Sequence, residues 1–164
     1  MKILALGSNL PFKNNSPEQN IKNAYEQIEK CNIKILKKSF IYKSVAYPNK
    51  NDPEFCNSAI LIETDKNPQK LLEIILNIEE SFGRIRSVKN SPRTLDIDIV
   101  CYGDQIIEKP NLKIPHPEIY KRLFVLLPIK DIDENWKHPS LNITVADKIK
   151  EFDQNELNTV KKIT

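Results

Sequence analysis

The chain has 164 residues, of which 40% are hydrophobic and 29% charged, and its formal net charge at pH 7 is only +3. This size and composition predict a globular protein with a substantial core and exclude disorder of the whole chain. The weak net charge does not by itself indicate nucleic acid or a membrane as a partner. The three glycines, Gly7, Gly83 and Gly103, cannot form the glycine-rich loop of a P-loop or Rossmann protein.

Cysteine usage and the N-terminus favour a cytoplasmic protein. Cys31, Cys56 and Cys101 are odd in number and far apart, which argues against a disulfide framework or a structural zinc site. No apolar run approaches the ~20 residues that a membrane span requires. The apolar part of the first seven residues is too short for a signal peptide.

Hydrophobic periodicity predicts seven elements, and helix-start and helix-stop residues set their limits. In chain order these are a strand over 4–6, a helix over 17–30, a strand over 33–43, a strand over 59–62, a helix over 68–82, a strand over 95–102 and a helix over 117–127. Ser16-Pro17 and Asn67-Pro68 suit helix N-termini, and Gly83 suits a C-terminal cap. Residues 44–56 are predicted to be loop.

The order β-α-β-β-α-β predicts the fold class. It is the α+β, ferredoxin-like pattern: an antiparallel sheet with helices on one face, here with C-terminal additions. Residues 1–164 are expected to form a single domain.

The most informative stretch is the strand that contains Asp96 and Asp98. Because side chains alternate along a strand, the two carboxylates share one face, and Leu95, Ile97 and Ile99 share the other. Two such charges would repel by ~2–3 kcal/mol, so a cation is expected between them. Oxygen ligands of this kind suit magnesium that also binds substrate phosphates. The alternative is a half-solvated strand whose polar residues face water.

Arginines precede this strand within a few residues. Arg84, Arg86 and Arg93 could form a solvated basic loop, but beside a metal site they favour a phosphate clamp. Metal ions and guanidinium groups together stabilise phosphoryl transfer.

Other candidate residues carry weaker signals. His116 lies near a predicted helix start and could donate to an anion or simply cap the helix, whereas His138 is predicted to be structural. Phe55 and Asn57 lie at a strand entrance, where an aromatic ring can stack on a heterocycle and an amide can bind its edge.

Taken together, these motifs resemble a known family. The segments that carry the resemblance are Leu6-Gly7-Ser8-Asn9-Leu10, Phe55-Cys56-Asn57, Gly83-Arg84-Ile85-Arg86, Pro92-Arg93-Thr94-Leu95-Asp96-Ile97-Asp98-Ile99, Pro115-His116-Pro117 and Arg122 through Pro128. In this order they are similar to the 6-hydroxymethyl-7,8-dihydropterin pyrophosphokinases of folate biosynthesis. The resemblance runs from Met1 to about Ile149.

The resemblance implies a ferredoxin-like fold and a diphosphate transfer. Family members move the β,γ-diphosphate of ATP to the hydroxymethyl oxygen of the pterin and release AMP. Asp96 and Asp98 match carboxylates that hold two magnesium ions. Arg84 and Arg93 match arginines that contact phosphates from a mobile loop, and Arg86 matches one in the same loop.

The resemblance also implies two binding sets. Positions near the nucleotide match Glu79, Arg86, Ile99, His116 and Arg122. Positions around the pterin match Ser44, Val45, Tyr47, Phe55, Asn57 and Phe124. The loop before Pro92 departs from some members because it is short and has Asn90 where they have a tryptophan, so loop closure is expected to differ.

One other class of function is compatible with the element order. A non-enzymatic ferredoxin-like module could bind nucleotide or RNA, but such sheets need exposed aromatics on the central strands. The 95–102 strand instead has aspartates there. The expected partners are therefore ATP and the pterin, with no nucleic acid or membrane, and the chain is expected to act as a monomer.

Overall fold

The computed structural model describes residues 1–47, 49–85 and 91–164. At its centre is an antiparallel sheet whose strands differ in length. The sheet strands are β1 (Lys2–Ser8), β2 (Lys34–Lys38), β3 (Tyr42–Ser44), β4 (Phe55–Glu63), β5 (Asp96–Tyr102) and β8 (Val160–Lys162). The order is β5-β1-β4-β3-β8, and β2 also pairs with β4. A separate hairpin consists of β6 (Ile107–Lys109) and β7 (Leu112–Ile114).

The helices lie on both faces of the sheet. Their bounds are α1 (Pro17–Lys30), α2 (Pro68–Ser81), α3 (Leu123–Ile132), α4 (Val145–Ile149) and α5 (Gln154–Leu157), with a 3-10 turn at Ile119–Lys121. One core layer joins the sheet to α1 and α2 and includes Ile21, Ile75 and Ile97. A second layer on the opposite face joins the sheet to α3 and α4 and includes Leu126 and Val145. Among the described residues, no helix combines the length and apolar character needed to span a bilayer.

Both long helices begin where the sequence predicts. The side chain of Ser16 accepts a hydrogen bond from the Gln19 N–H, and that of Asn67 accepts one from the Lys70 N–H. Each cap is followed by a proline, which has no N–H to satisfy. The caps fix where α1 and α2 begin, and both helices pack in one core layer against the same face of the sheet, so the predicted α+β, ferredoxin-like core is confirmed.

Three predicted elements were wrong in their limits. The strand over 59–62 begins earlier, because β4 starts at Phe55 within the segment 44–56 that was predicted to be loop, and this early part of β4 pairs with β1. The continuous strand over 33–43 is interrupted, because β2 and β3 pair with separate parts of β4. The predicted helix over 117–127 is a 3-10 turn followed by α3, which starts at Leu123 and continues to Ile132. The apolar sequence of α3 hides its period, since contact with the sheet buries much of its surface.

The sheet register brings small residues opposite the two aspartates. Asp96 pairs with Gly7, and Asp98 pairs with Ala5. The intervening Ile97 is buried in the core layer beneath α1 and α2. The predicted sharing of one face by Asp96 and Asp98 is therefore what the strand adopts, and the small side chains opposite leave room above them.

Candidate active site

A network of carboxylates and guanidinium groups joins α2 to β5. Arg84 Nη1 donates to Glu79 Oε1 at 2.7 Å and also to Asp96 Oδ1. The other oxygen of Asp96 accepts from Arg93 Nη1 at 2.8 Å. Glu79 is only 2% exposed, and its Oε1 also accepts from the Ile97 N–H at 2.7 Å. The network therefore holds Asp96 between two arginines, and Glu79 connects the network to the backbone of β5.

The end of α2 explains why Arg84 reaches back toward Glu79. Gly83 has φ = +71°, a left-handed conformation that reverses the chain after the helix. A Cβ at this position would lie 2.7 Å from a ring atom of Phe12, so any other residue would clash as well as be strained. After this turn the Arg84 N–H donates to the Glu79 carbonyl at 3.2 Å.

The charge of Arg84 is maintained by its partners. Burial opposes that charge, but the carboxylates of Asp96 and Glu79 outweigh it, so the pKa of Arg84 is raised above its usual value. The guanidinium is 12% exposed and faces the same cleft as the aspartates. It can therefore act as a permanent cation beside a bound anion.

Asp98 has a different environment from Asp96. Burial, followed by the negative charges of Asp96 and Glu79, raises the pKa of Asp98 from 3.8 to about 7, against the smaller lowering effects of Arg122 and Arg84. The side chain is nevertheless 44% exposed into the cleft. Its nearest ionic neighbour among the described residues is His116, whose Nε2 lies 4.0 Å from Asp98 Oδ2. Asp98 is thus an accessible carboxylate, and no lysine or arginine within residues 1–47, 49–85 and 91–164 forms an ion pair with it.

The orientation of His116 is set by its own turn. The Glu118 N–H donates to His116 Nδ1 at 3.2 Å, which assigns the ring proton of the neutral imidazole to Nε2, facing Asp98. Burial and the nearby Arg122 lower the pKa of His116. His116 therefore favours the neutral form, in which Nε2 can donate a hydrogen bond to an anion.

Three adjoining recesses surround these side chains. The first, about 90 Å³, lies between β1, β3, β4 and the start of α3. The predicted pterin residues all line it: Ser44, Val45, Tyr47, Phe55, Asn57 and Phe124. Asn57 Nδ2 donates to Ser44 Oγ at 2.9 Å, which fixes the plane of the amide. The recess has the mixed aromatic and polar lining that suits a flat heterocycle.

The second recess is larger, about 570 Å³, and lies over β5 and the end of α2. Glu79, Arg84 and His116 line it, and Arg93, Asp96, Asp98 and Arg122 line both this recess and the first. The third contains Ile99 and adjoins the second through Asp98 and His116. The charged residues thus stand at the junction between a small, partly apolar recess and a wide, charged cleft.

The predicted site residues that the structure describes all line at least one of these three recesses. Arg86 lies outside the described residues. Four residues that line the recesses were not predicted from the sequence. Ala5 and Gly7 form the base of the first recess, and Leu72 and Asn111 line the other two. The alternation of small residues with Leu4 and Leu6 along β1 was a usable signal for the floor. Nothing local marked Leu72 or Asn111.

The carboxylates fit a divalent cation that shares its ligands with a substrate. Among the residues that the structure describes, no three His, Cys, Asp or Glu side chains come close enough to form a complete metal site. Asp96 and Asp98 would therefore supply protein oxygens, with the remaining ligands from phosphate and water, as magnesium commonly requires. Burial first, and then the negative charges of Asp96 and Glu79, raise the pKa of Asp98, and a bound cation would offset both effects.

Comparison with known proteins assigns the family. Residues 3–134 match the family model for 7,8-dihydro-6-hydroxymethylpterin-pyrophosphokinase (HPPK). A 2-amino-4-hydroxy-6-hydroxymethyldihydropteridine pyrophosphokinase from Haemophilus influenzae is 35% identical over 150 residues, which are 91% of each chain. The chain belongs to the HPPK family, as the resemblance predicted, and this membership does not favour the non-enzymatic alternative.

Other relatives are longer than this chain. The folic acid synthesis protein FOL1 of Dictyostelium discoideum is 43% identical over 142 residues, or 86% of this chain but 21% of that protein. The solved Plasmodium falciparum HPPK-DHPS with pterin and p-hydroxybenzoate has a TM-score of 0.77 at 18% identity, covering 99% of this chain and 46% of that one. This chain thus spans about a fifth of the FOL1 relative and under half of the solved structure, and the structural likeness supports the fold alone.

Proposed function

We propose that this chain transfers diphosphate from Mg-ATP to the hydroxymethyl group of 6-hydroxymethyl-7,8-dihydropterin, a step of tetrahydrofolate biosynthesis. The observation that carries this proposal is the junction of the two recesses, where Arg93, Asp96, Asp98 and Arg122 line both. A group transfer between two bound substrates needs such a shared boundary, because the reacting atoms must approach to about 3–3.5 Å.

The first recess supports binding of the pterin. Phe55 and Phe124 offer aromatic faces for stacking, and the Asn57 amide, oriented by Ser44, offers hydrogen bonds to a heterocycle edge. Val45 and Tyr47 are exposed at the mouth, 37% and 69% respectively, so they can contact a ligand that enters there. In this position the hydroxymethyl group would extend toward the shared charged residues.

The second recess supports binding of ATP. We propose that Arg84 and Arg93 bind phosphate oxygens, that Arg122 and His116 approach the same triphosphate, and that Glu79 holds Arg84 in place. Arg86 is proposed to join the phosphate contacts from the adjacent segment, and Ile99 to contact the nucleotide from the third recess. Asp96 and Asp98 would hold two magnesium ions, which neutralise phosphate charge when they are bound.

The proposed reaction requires positioning rather than covalent catalysis. The hydroxymethyl oxygen attacks the β-phosphorus, the bond from that phosphorus to the α–β bridging oxygen breaks, AMP leaves with that oxygen, and the hydroxyl proton passes to solvent. The arginines supply fixed positive charge where negative charge develops on the phosphates. His116, with Nε2–H toward the cleft, can donate to an oxygen of the same group.

We further propose that residues 1–164 act as one domain, as a cytoplasmic monomer. The support for one domain is that β8, near the C-terminus, pairs with β3 beside the first recess. The free thiols of Cys31, Cys56 and Cys101 are compatible with a reducing compartment.

Product analysis tests the proposed function. The protein, Mg-ATP and the hydroxymethyl dihydropterin should yield AMP and the pterin diphosphate, whereas ADP as the sole nucleotide product would refute diphosphate transfer. Asp96→Ala and Asp98→Ala should each lower kcat by several orders of magnitude with the fold retained. Asp65→Ala is a matched control, because Asp65 is 95% exposed and away from both recesses.

A further inference from the structure

The turn after β1 connects the two halves of the site through one side chain. Asn9 is 2% exposed, although it lies in a loop, and both ends of its amide are engaged. Its Oδ1 accepts from the Arg93 N–H at 2.7 Å, and its Nδ2 donates to the Pro53 carbonyl at 3.0 Å. A single amide therefore bridges two segments that are 40 residues apart along the chain.

On the nucleotide side, Asn9 and Arg93 are joined by reciprocal hydrogen bonds. The backbone N–H groups of Asn9 and Leu10 donate to the Arg93 carbonyl at 3.0 and 3.1 Å, while Asn9 Oδ1 accepts from the Arg93 N–H. Both the backbone N–H and the backbone carbonyl of Arg93 are therefore hydrogen-bonded to this turn. Its guanidinium is aimed at Asp96 from this fixed base.

On the pterin side, the contact with Asn9 anchors the residue two positions before Phe55. Pro53 lies two residues before Phe55, which begins β4 and lines the first recess. The Arg93 guanidinium lies 5.6 Å from the centre of the Phe55 ring. The relative position of Arg93 and Phe55, one from each half of the site, therefore depends on the two segments that Asn9 joins.

We propose that Asn9 is a positioning residue that couples pterin binding to nucleotide binding. This inference rests on the proposed function. A nucleotide that fixes Arg93 also fixes Pro53 through the amide, and thereby holds Phe55 ready for the pterin; by linkage, the pterin favours the nucleotide to the same extent. Only an amide can perform both contacts, because a carboxylate would accept from Arg93 but could not donate to Pro53.

Calorimetric titration measures this coupling. The hydroxymethyl dihydropterin is titrated into the protein alone, and again with magnesium and an ATP analogue that has a methylene group between the α- and β-phosphorus atoms. The ratio of the two Kd values is the coupling factor. We expect Asn9→Asp and Asn9→Ala to lower this factor at least fivefold, and a smaller change in the folded variants would overturn the inference.

Two comparisons separate positioning from general loosening. Asn9→Asp keeps the acceptor for Arg93, whereas Asn9→Ala avoids placing a carboxylate against the Pro53 carbonyl, so at least one of the two variants should fold, and thermal unfolding identifies it. Asn49→Ala removes the Asn49–Asp52 hydrogen bond in the same loop but leaves the bridge intact, so its coupling factor should stay within twofold of the wild type. An equal loss in Asn49→Ala would overturn a specific role for Asn9. Wild-type protein that binds neither ligand would instead refute the proposed function.

Discussion

Replacing Asp98 with asparagine tests the electrostatic description of the site, because the protein should become more stable as it loses function. Asp98 has a pKa raised from 3.8 to about 7, chiefly by burial and then by Asp96 and Glu79. Its ionised form is therefore less favourable in the folded protein than in the unfolded chain. Asparagine keeps the shape and removes the charge.

The magnitude follows from the difference between the two pKa values. At about 1.4 kcal/mol per pH unit, a rise from 3.8 to about 7 corresponds to roughly 4 kcal/mol. Because 44% of the side chain is exposed, solvent screening reduces this to about 2 kcal/mol. A gain of that size should raise Tm by about 4–8 °C for a domain of this length.

The stabilising effect of Asp98→Asn should depend on pH. A carboxyl group whose pKa is raised by folding favours the folded state most below pH 4, and this contribution is lost as the pH rises toward 7. Asp98→Asn should therefore have little effect near pH 4 and its full stabilising effect at pH 8. Thermal unfolding at pH 4, 6 and 8 in a metal chelator measures this, with the exposed Asp65→Asn as the control. A stabilisation that is the same at all three pH values, or a loss of stability at pH 8, would refute the reasoning.

Two further substitutions separate the roles of buried charge and aromatic stacking. Glu79→Gln removes the more buried of the two carboxylates that pair with Arg84, while Asp96 remains, so the free energy of unfolding in urea should fall by about 1.5–3 kcal/mol; unchanged stability would contradict the structural role of this ion pair. Phe124→Ala removes one aromatic face of the first recess, which should weaken pterin binding by about 5- to 150-fold, as expected for a stacking loss of about 1–3 kcal/mol, and leave the Kd of the ATP analogue within twofold. Phe40→Ala provides its control, since Phe40 does not line that recess, and equal losses in both variants would count against stacking.

The sequence was sufficient where the signal is local and periodic. Ser16-Pro17 and Asn67-Pro68 begin helices, and the alternation through Asp96 and Asp98 gives a strand with both carboxylates on one face. These follow from capping chemistry and from the two-residue period of a strand, which depend on neighbours along the chain. The motif order also sufficed to assign the family.

Local patterns failed where long-range contacts decide the outcome. The interruption between β2 and β3 arises because each pairs with a different part of β4, which no property of 33–43 reveals. The extent of α3 was missed because its apolar surface packs on the face of the sheet opposite α1 and α2. The predicted pterin residues come from three separate segments, and only their positions in the sheet and at the start of α3 bring them together.

The sequence alone determined which chemical groups the site contains: two aspartates on one strand face, arginines close before them, and an aromatic–amide pair at a strand entrance. Tertiary structure decided which of those groups pair with each other and which remain accessible to a ligand. Arg84 and Arg93 both bind Asp96, whereas Asp98 faces the cleft with a raised pKa, and Asn9 joins segments that are distant in the chain. The physical reason is that charge pairing, burial and hydrogen bonding depend on distances through space, which spacing along a chain does not specify.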